Sequence, residues 1–291
     1  MDVEDEMKAR EVLLDIGYYR LGFYWAPFEE AYPKLTKRTH RYLPGTKFAY
    51  AVRLYYFDFD LRNILLRYIS RIEINFRTQV VYHISNAYPD KPLWHLDTSI
   101  VRDTLLKSPA YQKAIADIHK ERVIRIHAKQ HPQEPKPPAW KALEFLPFGV
   151  VIHLYENLLN QHLQCDIAKR YGISAQRQFS NYINTVRKLR NSCAHGNVLF
   201  DLRLDQAICK GPLGYLHTQK QTLWGACQVV HYLLQTVSAN RAAEMRKDIK
   251  DALDKVEEPS VRAIIAKQSG IGSTQRFSEE DLGSTHKDLP L

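Results

Sequence analysis

The chain has 291 residues, 45% of them hydrophobic, and a formal net charge of +9. That much apolar material supports one large domain or two small ones and excludes both a disordered chain and a small scaffold held by disulfide staples. The charge is uneven: residues 1–30 carry eight acids against three bases, and residues 31–130 carry 18 bases against eight acids. A basic middle suits a polyanion such as nucleic acid through counterion release, with solvated surface lysines as the plainer alternative.

In chain order, a short helix fits residues 4–17. Tyr32-Pro33 through Gly45 reads as a basic loop, in which Lys37, Arg38 and Arg41 precede Tyr42. Cations interleaved with an aromatic ring are what a single-stranded RNA contact requires, although a solvated loop has the same composition. From Asp58 to Asn86, Leu61, Leu65, Ile69, Ile72, Phe76, Val80 and Ile84 recur at steps of three and four. This predicts a long helix capped by Asp58 or Asp60, with Arg62, Arg67 and Arg71 off its apolar face. Within it, Glu73 and Arg77 form either an ordinary intrahelical ion pair or the support of a cleft. His83 is either a satisfied helix histidine or a second reactive group.

Shorter helices fit 99–106 and 108–129, and the prolines from Pro132 to Pro138 form a connection that no helix continues through. Helices are then predicted over 140–160, 175–194 and 218–237. One or two charged helices fit 240–268, with a break at Pro259, and residues 269–291 read as a disordered tail. Strand evidence is thin. The patterning predicts an all-α protein: a helical domain over 1–240, a helical extension over 241–268, and the tail.

Cys165, Cys193, Cys209 and Cys227 lie too far apart for zinc-ligand pairs, and three sit in apolar stretches, so buried thiols in a reducing cytoplasm are expected. The one histidine pair four apart, His127 and His131, has Ala128 where a zinc protease carries its glutamate, and there is no glycine-rich phosphate loop or nucleophile elbow. Neither a metal nor a cofactor is expected. No apolar run approaches the roughly 18–20 residues of a membrane span, so a soluble chain is expected.

The most informative segment is Val186-Arg187-Lys188-Leu189-Arg190-Asn191-Ser192-Cys193-Ala194-His195-Gly196, at the end of an amphipathic helix. Arginine keeps its charge at any working pH, and histidine titrates near neutrality, so together they offer a phosphate clamp and a proton carrier. Arg187, Asn191 and His195 are four apart and share a helix face; Arg190 lies about 140° from His195, a gap its long side chain can close. Gly196 suits the left-handed residue that stops a helix, and a helix ending there places its negative pole beside His195. In metal-free RNA cleavage His195 would be the acid or base, Arg190 the electrophile and Asn191 an orienting partner.

Arg-Asn-Ser-Cys-Ala-His at 190–195 resembles the arginine–histidine signature of HEPN-superfamily ribonucleases. Further pieces resemble the Abi family of bacterial abortive-infection proteins, of the AbiD/AbiF type. They are Gly17-Tyr18-Tyr19-Arg20-Leu21 with Tyr24-Trp25 and Phe28, then Phe57-Asp58-Phe59-Asp60-Leu61-Arg62, Ile72-Glu73, Arg77-Thr78, Pro138-Ala139-Trp140 and Phe148-Gly149. These stand in the family's order over roughly residues 12–205. The resemblance implies a HEPN-like helical bundle, phage defence through RNA cleavage, a toxin-like activity under control and a homodimer; an antitoxin RNA or protein is a candidate partner, and the sequence does not say whether one restrains it. One departure stands out: relatives tend to follow the histidine with basic or aromatic residues, whereas here Gly196-Asn197-Val198-Leu199-Phe200 follows. Two other readings compete with the nuclease. One is a non-catalytic RNA-binding module, and the other is a protein-interaction component beside a partner toxin. For the dimer, an internal pair of Arg77 and His83 in a monomer is the competing arrangement.

Overall fold

In the computed structural model, residues 1–33 and 40–272 are described, and among them the regular structure is all α-helical, without a β-sheet. The thirteen helices are α1 (Glu6–Ile16), α2 (Tyr18–Trp25), α3 (Phe48–Ala87), α4 (Asp103–Leu106), α5 (Pro109–Ile118), α6 (Arg122–Gln130), α7 (Ala139–Phe145), α8 (Phe148–Glu156), α9 (Gln161–Lys169), α10 (Gln176–Ala194), α11 (Leu223–Val237), α12 (Ala239–Asp254) and α13 (Pro259–Ser269). Lys37, Arg38 and residues 273–291, the greater part of the expected tail, lie outside the described residues.

The spine is α3, whose 40 residues run about 60 Å. Its apolar face, including Leu61, Leu65, Ile69, Ile72, Phe76, Val80 and Ile84, is fully buried. Helices α2, α7 to α10 and α11 to α13 pack against it. The helix starts ten residues earlier than the sequence predicts, because Phe48, Ala51, Leu54 and Phe57 extend the buried face backwards. Asp58 is therefore mid-helix and buried, not a cap, and Arg62 is buried beside it instead of lying off the apolar face. Arg67 and Arg71 are exposed as expected.

Other boundaries move for local reasons. Gly17, at φ +88°, separates α1 from α2. The helix predicted over 140–160 divides at Leu146-Pro147: proline disfavours a helical residue before it, and Leu146 is extended at ψ 141°. Pro259 opens α13 at its first turn, where its missing N–H costs nothing. Met245, Ile249, Val256, Val261, Ile265 and Ile271 belong to the same hydrophobic core as α3, so the C-terminal helices are integral to it. All four cysteines are free thiols. Burial pushes the Cys193 thiol up to about 12, which leaves it inert as a nucleophile. No helix among the described residues is long and apolar enough to cross a membrane.

Two histidines are buried in this core without a partner for one ring nitrogen, His95 at Nδ1 and His231 at Nε2. Burial lowers both from the ordinary 6.5 to about 4, helped by Lys136 for His95 and Arg246 for His231. The unfolded chain then binds more protons than the native state between those values. Their stabilising contribution is complete above about pH 6.5 and is lost as pH falls towards 4, on the order of 2–3 kcal/mol each. Urea midpoints at pH 7 and pH 4.5 should show that loss, and His95→Gln should flatten it if the variant folds.

Candidate functional site

Helix α10 ends as its sequence implies. Gly196 takes φ +67° and its N–H donates to the Cys193 carbonyl at 3.1 Å, while the Asn197 N–H donates to Ser192 at 2.9 Å. This pair of bonds satisfies the last carbonyls of the helix and leaves His195 exposed at its tip.

The turn beyond His195 is fixed from distant parts of the chain. Arg20 of α2 donates to the Gly196 carbonyl, and Arg62 of α3 donates to the Asn197 carbonyl at 3.2 Å. Arg62 also pairs with Asp58 at 2.6 Å. The Asp58 carboxylate accepts from the Tyr24 hydroxyl at 2.9 Å and from the N–H groups of Leu199 and Phe200 at 3.0 and 2.7 Å. Burial pushes this carboxyl up to about 6, opposed by the Leu199 N–H and the Arg62 guanidinium. Sequence reasoning missed Arg20, Asp58 and Arg62 as members of the site. The available signal was their recurrence four apart, Arg20 with Tyr24 and Asp58 with Arg62, within the pieces that carry the family resemblance. The departure at 196–200 is explained by the same contacts, since this segment is held through its main chain.

A cleft of about 500 Å³ opens where α3, α8 and α10 meet, lined by Glu73, Gly149, His153, Arg187, Arg190 and Asn191 over Leu146, Pro147, Phe148 and Val150. Glu73 joins two arginines across it. One oxygen lies 3.6 Å from Nε of Arg190 and the other accepts from Arg77 at 3.2 Å. Arg77 is buried and also donates to the carbonyls of Leu143 and Leu146 at the α7 terminus. Gly149 and His153 line the cleft from α8, and Arg187 and Asn191 from α10; outside the lining, Glu156 of α8 accepts from the Asn184 amide of α10 at 2.7 Å. A Cβ at position 149 would lie 3.3 Å from Cδ of Arg187, so glycine there allows the close approach.

The structure therefore brings together Glu73, Arg77, Arg187, Arg190 and Asn191. His195 stands one turn past Asn191, whose carbonyl accepts its N–H at 3.0 Å, and is outside the cleft lining. Arg190 turns inward to Glu73, while His195, the residue that caps α10, is exposed to solvent. His83 is remote from this group. It faces Arg170 and Asp166, and burial and Arg170 lower its pKa. Arg41 is exposed, and its carbonyl accepts the Glu30 N–H at 3.0 Å. His153 was also missed in the sequence, although the Gly149, His153, Glu156 spacing marks one helix face. Among the described residues no group of histidine, cysteine and acidic side chains is arranged to hold a metal ion.

A family model described as Abi-like protein matches residues 11–201. No curated protein and no solved structure matches the chain. The matched span starts within α1 and ends one residue past Phe200, so every residue of the cleft and of the turn beyond His195 lies inside it, and α11 to α13 lie outside.

Proposed function

The chain belongs to the Abi-like protein family, and on that premise we propose that it is a metal-independent endoribonuclease acting in abortive infection. The observation that carries the reading is the setting of Arg190: ion-paired at Nε by Glu73, beside Arg187 and Asn191, one turn before an exposed histidine. Pairing at Nε aims the guanidinium and leaves its outer nitrogens for two phosphate oxygens. Arg187 supplies a second fixed cation. Charge that builds on the phosphorus oxygens as the 2′-hydroxyl attacks is thus met by donors already in place. Asn191 can hold the phosphate or sugar by hydrogen bond, and His195 moves a proton at the helix tip.

Purified protein incubated with total RNA in excess chelator should cleave it to a 2′,3′-cyclic phosphate, or its opened product, and a 5′-hydroxyl, read by end mapping. Loss of cleavage in chelator, restored by one divalent ion, would falsify the metal-independent mechanism.

The net charge of residues 31–130 adds an expectation about substrate binding. Affinity for single-stranded RNA should fall steeply with salt, and neutralising Lys37, Arg38 and Arg41 together should flatten the logarithmic salt slope by about 2. An unchanged slope in the triple variant would leave this loop as solvated surface.

A further inference from the structure

We infer that His153 is a second proton-transfer group of this cleft, the one that takes the 2′-hydroxyl proton from an RNA phosphodiester held by Arg187 and Arg190. The inference rests on the ribonuclease reading above and assigns a residue which that reading leaves without a role.

The geometry is a relay of four side chains. Nδ1 of His153 lies 3.4 Å from one oxygen of Glu156, and the other oxygen accepts from the Asn184 amide nitrogen at 2.7 Å. The Asn184 amide oxygen accepts from Nε of Arg187 at 3.0 Å. One carboxylate thus lies beside an imidazole and holds a guanidinium through an amide. With Nδ1–H turned to the carboxylate, Nε2 carries the lone pair, which is the tautomer a proton acceptor needs. Arg187 is held at Nε, as Arg190 is by Glu73, so both cations keep their outer nitrogens for phosphate oxygens.

Position separates His153 from the other histidines near the helical core. Its side chain is 51% exposed where the cleft opens, whereas His95 and His231 are buried and His83 faces α9. Among the described histidines, His153 alone lines the cleft with Arg187 and Arg190. The charged groups around it are Glu156 on its own helix, Arg187 and Arg190 on α10, and Glu73 on α3.

The chemistry balances without a co-reactant. The 2′-oxygen bonds to phosphorus as its proton passes to Nε2 of His153, the bond from phosphorus to the 5′-oxygen breaks, and that oxygen takes a proton from the His195 imidazolium. The products are a 2′,3′-cyclic phosphate and a 5′-hydroxyl, and the two imidazoles exchange protonation states before resetting with water.

The test measures cleavage of a single-stranded RNA oligonucleotide carrying a fluorophore and a quencher, across pH, for wild type, His153→Gln, His153→Ala and His195→Gln. Wild type should give a bell-shaped profile of kcat/KM. His153→Gln should lose the acidic limb and about 10²–10⁴-fold in rate, with RNA affinity and the unfolding midpoint retained. His195→Gln should lose the alkaline limb. Added imidazole should restore part of the activity of His153→Ala, which a purely structural role would not permit. A bell-shaped profile and a rate within about twofold of wild type in His153→Gln would overturn the assignment while leaving the ribonuclease reading intact. Binding without cleavage by wild type would overturn both.

Discussion

Arg190→Ala should lower RNA cleavage by about 10²–10³-fold while barely moving the unfolding midpoint. The rate effect follows from the role of a fixed donor aimed where charge develops, whose removal typically costs that much. The small stability effect follows from the surroundings. The Arg190 side chain is 38% exposed, and its partner Glu73 keeps a second cation, Arg77, when Arg190 is gone. Loss of such a partly screened ion pair costs no more than about 1 kcal/mol. Arg190→Lys should recover little activity, because an ammonium keeps the charge but neither the Nε contact nor the planar fork. Glu73→Gln should fall between wild type and Arg190→Ala, since the guanidinium remains and only its aim is loosened. Initial rates on one RNA substrate, paired with urea unfolding of each variant, measure both halves. Equal rates for wild type and a folded Arg190→Ala protein would remove the cleft from the reaction.

Much of this site depends on pairings that no local stretch of sequence displays. Helix α10 was legible nearly to the residue, since Phe179, Tyr182, Val186, Leu189 and Cys193 repeat at three and four and Gly196 marks the stop. The rest of α3 after its first ten residues was legible for the same reason. Its first ten residues were not, because Tyr50, Tyr55, Tyr56 and Phe59 surround the buried positions with further large apolar groups and blur the period. Asp58 then looked like a cap, as an aspartate at the start of a periodic run usually is. Here its oxygens take N–H groups from Leu199 and Phe200, far along the chain, and a window of neighbouring residues cannot show that. The Glu73 contact to Arg190 was visible only as one of two readings of a carboxylate four residues from an arginine. His153 stayed hidden because residues 140–160 were read as one helix. With the break at Pro147, the face formed by Gly149, His153 and Glu156 belongs to a separate short helix aimed at α10.

Asp58→Ala should destabilise the protein by about 3–5 kcal/mol, the cost of leaving a buried charge without its partner. Arg62 is 5% exposed and would keep only the Tyr24 hydroxyl and the Asn197 carbonyl. The N–H groups of Leu199 and Phe200 would lose their acceptor inside the core, at about 1–3 kcal/mol for each orphaned group, and these costs overlap. A double variant separates them. Asp58→Ala with Arg62→Met removes both charges and fills part of the space, so it should regain stability relative to Asp58→Ala alone, while the two main-chain donors stay unpaired. Amide hydrogen exchange at Leu199 and Phe200 should accordingly be fast in both variants, even where the urea midpoint of the double variant recovers. This places the effect at the turn that follows His195. If that turn also sets the histidine's position, the double variant should cleave RNA poorly despite its recovered stability, whereas a variant remote from the turn with the same midpoint should not. An unchanged urea midpoint for Asp58→Ala would show that the buried pair is dispensable, and slow exchange at Leu199 and Phe200 in that variant would show that the turn holds without it.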